Sequence, residues 1–239
     1  MSPQPPLTSE TSLHITPEVP PLESGDRLTR PEFRRRYAAH PDIRRAELVE
    51  GVVYVASPVR YLHHARLNSL ISGWLSFYEA ATPGVYAAEQ ATLEIDEQNE
   101  VQPDALLRIA ETHGGRSHVT AQDYLAGAPE LVVEIAASSA AKDLHDKRDV
   151  YARCGVAEYL VVQSYGQQVY WFVLHGDHYE PQEPESQGVF RSSIFPGLWL
   201  APSALWAGQM ADLLATLQSG LATPEHAAFR EQLQPPENQ

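Results

Sequence analysis

A chain of 239 residues, 43% hydrophobic and 20% charged, has the size and make-up of one globular soluble domain with loose ends. No run approaches the roughly 20 apolar residues that span a bilayer, Met1–Pro21 lacks the basic start and apolar stretch of a signal peptide, and the lone Cys154 excludes an internal disulfide and fits a cytoplasmic protein. The net charge of −14 is not that of a typical nucleic-acid binder, although Arg27, Arg30, Arg34, Arg35, Arg36, Arg44 and Arg45 crowd one short segment.

Residues 1–26 are rich in Pro and Ser, show no apolar period and read as disordered. Thr29 followed by Pro31 predicts a helix start, with the helix running through Phe33 and Tyr37. Apolar runs on both sides of Glu50-Gly51 predict a tight hairpin over residues 46–55. Leu67, Leu70, Ile71, Trp74, Leu75 and Tyr78 recur with a helical period and predict an amphipathic helix that ends at Thr82-Pro83-Gly84. Strands are predicted over residues 85–95 and 101–107 with a polar turn over 96–100 between them, and His113-Gly114-Gly115 predicts a mobile loop. Leu131–Ala136 reads as a compact strand and residues 143–154 as a helix stopped by Gly155. Strands follow over 159–162, over 169–174 and around Tyr179, then a surface helix over 203–217 and a loose polar tail from Pro224. This order predicts an α/β (α+β) fold, a mixed β-sheet flanked by helices in a single domain. The domain spans residues 27–205, and residues 206–239 supply a C-terminal helix and tail.

Two carboxylates fall where charge is costly. Along the strand Leu131–Ala136, Glu134 shares its face with Val132 and Ala136. An unpaired charge on such a face pairs, protonates or binds metal. Asp104 poses the same problem in the run Val101–Leu107. The plain alternative for each is a salt bridge or an exposed strand end. Should the two strands be neighbours, their hard oxygen donors would suit Mg²⁺ or Mn²⁺ rather than zinc. Beyond Glu134, Asp143, Lys147 and Tyr151 recur at i, i+4 and i+8, one face of a helix. From that face Lys147 would hold a water or a phosphate oxygen beside the metal. The alternative is an exposed Asp–Lys pair worth about 0.3–0.5 kcal/mol. Of 17 basic residues only Lys142 and Lys147 are lysines. An ammonium is a compact charge with a tunable pKa, unlike the guanidinium used elsewhere in the chain.

Glu47-Leu48-Val49-Glu50-Gly51, Ser57-Pro58, His64, Pro103-Asp104, Glu134-Ile135-Ala136, Asp143, Lys147, Tyr151, Gly155-Val156, Glu158-Tyr159 and Phe195–Leu200 together resemble the Uma family. This is a large bacterial group of restriction-endonuclease-like proteins in the PD-(D/E)xK nuclease superfamily. The resemblance covers roughly residues 30–205. It implies a nuclease core in which Asp104 and Glu134 ligate a divalent metal and Lys147 is the catalytic lysine. The superfamily's usual lysine would stand two residues after Glu134, where this chain has Ala136; in the Uma group it is moved onto the next helix, where Lys147 fits better than Lys142. Ala137-Ser138-Ser139-Ala140 also departs from the family's Ser-Pro-Ser-Thr-like stretch. Glu47, His64 and Asp143 are auxiliary candidates, with Glu50 an alternative to Glu47 and a structural hydrogen bond the plain alternative for His64. The reading that follows is a Mg²⁺- or Mn²⁺-dependent DNA endonuclease, for which a homodimer would suit double-strand cutting. Its rivals are a non-catalytic nucleic-acid-binding or assembly module and a metallo-hydrolase of small phosphoesters.

Overall fold

A computed structural model describes residues 19–137 and 140–234. Strand β1 (Ala46–Val49) and strand β2 (Val52–Val55) form the expected hairpin, Val49 facing Val52. Its turn residues Glu50 and Gly51 have φ of 53° and 71°, the left-handed geometry a two-residue hairpin requires, which Gly51 adopts without strain and Glu50 does not. Helix α1 (Arg30–Ala39) starts at Thr29 as predicted and buries Phe33 against Leu22, Ala46, Leu48 and Val53. Part of the segment expected to be disordered is therefore structured: Gly25 and Asp26 exchange backbone hydrogen bonds with Val53, and residues 1–18 lie outside the described residues.

Helix α2 (Arg66–Ala81) buries all six of its predicted apolar positions. The expected strand over 85–95 is cut at Gln90, whose φ is 52°. Its halves, β3 (Val85–Glu89) and β4 (Leu93–Asp96), belong to different sheets. The predicted polar turn contracts to Glu97-Gln98, because β5 (Asn99–Val101) begins inside it and pairs with β4. Gln102-Pro103-Asp104 then divides the expected 101–107 strand before β6 (Ala105–Ile109); Pro103 has no N–H to give a ladder. Two short strands follow that no sequence pattern announced, β7 (Ser117–Val119) and β8 (Leu125–Gly127), before β9 (Leu131–Ala136).

The helix predicted over 143–154 is broken at His145 (φ −125°, ψ −78°) into α3 (Ala140–Leu144) and α4 (Asp146–Cys154). Gly155, with φ of 88°, caps the carbonyls of Tyr151 and Ala152 in the predicted role. Strands β10 (Glu158–Gln163), β11 (Gln168–His175) and β12 (His178–Gln182) complete the main sheet, and β13 (Phe190–Arg191) pairs with β14 (Trp199–Leu200). The predicted surface helix is split at Gly208 into α5 (Pro202–Ala207) and α6 (Met210–Leu221), and α6 buries Leu213 and Leu217 in the core. The tail expected to be loose forms α7 (Pro224–Gln232), capped by the Thr223 side chain.

The strands divide between two six-stranded mixed sheets, ordered β2-β1-β5-β4-β8-β7 and β12-β11-β10-β9-β6-β3. Strands β9 and β10 run parallel and are connected through α3 and α4, while β6 pairs antiparallel with β9. Alternation along β9 builds two cores. Leu131, Val133 and Ile135 pack with α2 and α6, whereas Val132 and Ala136 pack with Tyr151, Tyr159 and the first sheet's Val49, Leu93 and Val101. Burying each aliphatic side chain is worth roughly 1.5–3 kcal/mol. The even-numbered face of β9, which carries Glu134, is thus closed in between two sheets. Among the described residues no helix is long and apolar enough to cross a membrane.

Candidate active site

Glu134 is 2% exposed, in the middle of a fully buried strand. Its Oε1 accepts hydrogen bonds from Lys147 Nζ at 2.7 Å and Tyr151 Oη at 2.9 Å; its Oε2 accepts none among the described residues. Strand alternation also places Glu47, next to Val49, on the inner face of β1. From there Glu47 Oε1 accepts from Lys147 Nζ at 2.7 Å and Gln102 N at 2.9 Å, and Oε2 accepts from Lys142 Nζ at 3.0 Å. The Lys147 ammonium, 1% exposed, therefore joins a carboxylate of one sheet to a carboxylate of the other.

Asp104 lies in the link before β6, and β6 and β9 are neighbours, with Ala105 opposite Val133. Its Oδ2 accepts from Ile135 N at 2.8 Å, beside Glu134 in sequence, and from His64 Nε2 at 3.2 Å; its Oδ1 accepts from Arg45 Nη1 at 3.0 Å. His64 precedes α2 (Arg66–Ala81). It lies in a π-helical turn, Tyr61–Ala65, in which Arg60 O accepts from both His64 N and Ala65 N at 3.1 Å. Such a wide turn carries an extra residue into α2, a device frequent at functional sites.

Charge is unevenly shared in this cluster. Burial works against the charge on Glu47, but Lys147, Lys142 and Arg45 hold its carboxyl well below the ordinary range. Glu134 has only a share of Lys147 and faces the charges of Asp104, Asp143 and Glu47, so burial prevails and its carboxyl is pushed up to about 7. Asp104 stays low: burial opposes its charge, and the His64 hydrogen bond and the Arg45 guanidinium outweigh it. The hydrogen bond to Asp104 raises His64 against the cost of burial. Lys147 is raised despite burial, by Glu134, Glu47 and Asp143. Such shifts concentrate where charges are arranged for chemistry.

Asp104, Glu134, Lys147, Glu47 and His64 thus converge, directly or through shared partners. Asp143, on α3 rather than on the Lys147 helix, is buried and close enough to influence both Lys147 and Glu134 electrostatically, while its carbonyl accepts from Tyr159 Oη at 2.9 Å. Glu50 occupies the exposed hairpin turn and pairs with Arg153, so Glu47 is the family-motif acid that lines the cluster. Sequence reasoning passed over Arg45, whose guanidinium also donates to Gln102 O. Its signal was alternation: two residues before Glu47, it shares that residue's side of the chain. Lys142, ranked below Lys147, is a second partner of Glu47 and lies over the Tyr54 ring at 4.7 Å. Ser138 and Ser139, in the stretch that departs from the family pattern, are outside the described residues.

Whether these groups fit a metal turns on donor chemistry. Among the described residues no three His, Cys, Asp or Glu side chains form a ligand cluster. Two carboxylates with one oxygen of Glu134 unengaged nevertheless match a hard ion such as Mg²⁺, which binds through one or two carboxylates and keeps several waters. Arg45 or His64 would have to yield a lone pair of Asp104.

A search of curated proteins finds no match. Among solved structures, the chain is similar to a putative nuclease of the DUF820 group from Anabaena variabilis, with a TM-score of 0.53 and 13% identity over 68% of this chain and 90% of that one. So low an identity speaks to the fold alone. The family model described as "Uma2: Putative restriction endonuclease" matches residues 30–203, a span holding all the residues of the cluster. The chain belongs to the Uma2 family.

Proposed function

We propose that the chain is a Mg²⁺- or Mn²⁺-dependent endonuclease that hydrolyses phosphodiester bonds in DNA. The observation that carries this reading is the pair of buried carboxylates at adjoining strands, Asp104 and Glu134, with the Lys147 ammonium 2.7 Å from Glu134. Family membership and the nuclease description of the structural neighbour support it. Asp104 and Glu134 would hold the ion, which when bound polarises a phosphoryl oxygen and lowers the pKa of an attacking water. The chain's own groups do the rest. Lys147 and Tyr151 fix the Glu134 carboxylate in one orientation through its Oε1, leaving Oε2 to face the reaction. Arg45, hydrogen-bonded to Asp104, and Lys147, 2.7 Å from Glu134, are the cations nearest to hand for charge developing on phosphorus.

The test is cleavage of plasmid and labelled oligonucleotides, DNA and RNA, in Mg²⁺, Mn²⁺ or EDTA. Asp104→Asn and Glu134→Gln keep the shape of each side chain, and each should lower divalent-dependent cleavage roughly a hundredfold or more. Undiminished cleavage in both variants overturns the assignment. One observation favours the non-catalytic rival: Asp104 already has both oxygens engaged by Arg45, His64 and Ile135 N. Nucleic-acid binding without turnover under every metal condition would decide for it.

A further inference from the structure

In a chain of net charge −14, residues Gly51 through Tyr78 include no Asp or Glu, yet they hold Arg60, His63, His64 and Arg66. Residues Tyr159 through Gly176, which contain the turn between β10 and β11, are also free of acids. The fold brings the two runs together. Tyr165 of that turn stacks on His63, ring centroids 4.3 Å apart and planes at 26°, and Arg60 Nη1 donates to Tyr165 Oη at 2.8 Å. Around this pair the apolar surface stands open: Tyr61 and Leu62 are each 70% exposed and Tyr165 is 55% exposed. Clustered exposed apolar groups mark interaction surfaces. This cluster adjoins the candidate active site through the backbone, since His64 follows His63 and reaches Asp104.

We propose that Arg60, Tyr61, Leu62, His63 and Tyr165 form a platform for an unpaired nucleic-acid strand leading to the Asp104–Glu134 site. Bases stack on the Tyr165–His63 pair and its apolar neighbours, and Arg60 meets backbone phosphates. Every base offers a π face and every linkage a negative charge, so aromatic rings beside cations hold single strands with little regard to sequence. A duplex keeps its bases stacked inside, so the platform selects single strands, flaps or frayed ends. A polyanion is favoured as the occupant by local charge, since the two runs hold Arg60 and Arg66 and no acid. The proposal takes its substrate class from the nuclease reading.

The experiment is fluorescence anisotropy with a labelled single-stranded DNA 20-mer and its duplex, with the full chain in EDTA to prevent turnover. The wild type should bind the single strand more tightly than the duplex. Tyr165→Ala and Arg60→Glu should each weaken single-strand binding about tenfold or more, and Tyr86→Ala, an exposed tyrosine on β3, should leave it unchanged. Matching thermal melts exclude misfolding. Single-strand affinity unchanged in both platform variants overturns the proposal, and so does a change of sedimentation in Tyr165→Ala that reveals a self-contact. Cleavage measured alongside separates the two readings. If the variants lose binding and the wild type cuts nothing in any metal, the platform stands and the nuclease falls. If the wild type cuts and the platform variants bind and cut equally well, the nuclease stands and the platform falls.

Discussion

Buried carboxylates occur at both ends of the β9–β10 pair, and the two ends satisfy them in opposite ways. At the start of β10, Glu158 is fully buried and accepts from Ser192 Oγ, Ser193 N and Ser193 Oγ at 2.6–2.7 Å. Just before β9, Glu130 accepts from Ile109 N at 2.7 Å and Arg116 N at 3.1 Å. These are neutral donors, they engage both oxygens of each carboxyl, and no cation among the described residues pairs with either. Further along β9, Glu134 relies on one shared ammonium and a phenol, and it has an oxygen to spare. The first arrangement ties loops to a sheet. The second concentrates charge, as a structural carboxylate has no need to do and as a site for charged reactants requires. The parallel pair thus has a fastening end and, on the function proposed above, a chemical end, the latter toward the carboxyl termini of its strands, where ligands of open α/β sheets bind.

Removing a cation should separate the ends most. Lys147→Met leaves Glu134 buried without its ammonium and cuts the link between the sheets. At pH 8 this should cost about 3–5 kcal/mol in urea unfolding, the range for breaking a buried ion pair. Glu158→Gln keeps an acceptor for Ser193 N and should cost on the order of 1 kcal/mol. Equal losses would erase the distinction. Adding Glu134→Gln to Lys147→Met should recover part of the loss, a coupling that a double-mutant cycle reads directly. Lys147 is for this reason a poor probe of catalysis, since its removal disturbs the fold as well as any chemistry.

How much of this could be read from the chain alone differs residue by residue. Glu134 was legible because a charge in the apolar run Leu131–Ala136 breaks the pattern of a closed-in strand. The α2 face was legible through its period. Asp104 was recognised as a misplaced charge, but its place in a link rather than within a strand was not, because alternation is silent about where β5 ends and β6 begins. That β3 and β4 would part into different sheets depends on the corner at Gln90, a residue type with no strong turn signal. The β7–β8 pair, three residues each, is too short to show a period. The helix break at Gly208 has a local cause, a left-handed cap with φ of 69° that glycine adopts readily, whereas His145 (φ −125°, ψ −78°) carries no such signal. Arg45 escaped notice among many arginines; its alternation with Glu47 was a signal, but the partner it finds, Asp104, is set by the fold.

The pH dependence of stability sharpens the comparison next. The folded Glu134 carboxyl, at about 7, lies above its ordinary value of 4.5, so between those values the folded protein holds a proton that the unfolded chain has released. Its contribution to stability is fully present below about pH 4.5 and is lost as pH rises through about 7, on the order of 3 kcal/mol in all. Burial raises Glu158 as well, against its serine hydrogen bonds, and adds a loss of the same sign. Urea midpoints measured from pH 4.5 to 8 should therefore fall for the wild type, and Glu134→Gln should flatten that window more than Glu158→Gln does. A wild-type curve unaffected by Glu134→Gln would place its proton elsewhere.

The smallest effect is also the most specific. Tyr151→Phe removes one hydroxyl, the donor 2.9 Å from Glu134 Oε1, without altering the buried ring. Tyr78→Phe removes a similarly buried hydroxyl that donates to Pro196 O at 2.9 Å, far along the chain from any of the cluster's acids. Each substitution should cost about 1 kcal/mol, since each strands one buried acceptor. They should differ in what happens to protons. The phenol favours the charged form of Glu134, so its loss should move the Glu134 midpoint higher, and the decline of stability with pH should shift upward in Tyr151→Phe and stay in place in Tyr78→Phe. Side-chain carboxyl resonances followed by NMR across the titration report that midpoint independently of unfolding. If both variants titrate like the wild type, Tyr151 merely fills space beside Glu134, and the hydrogen-bonded orientation assigned to that carboxylate loses its support.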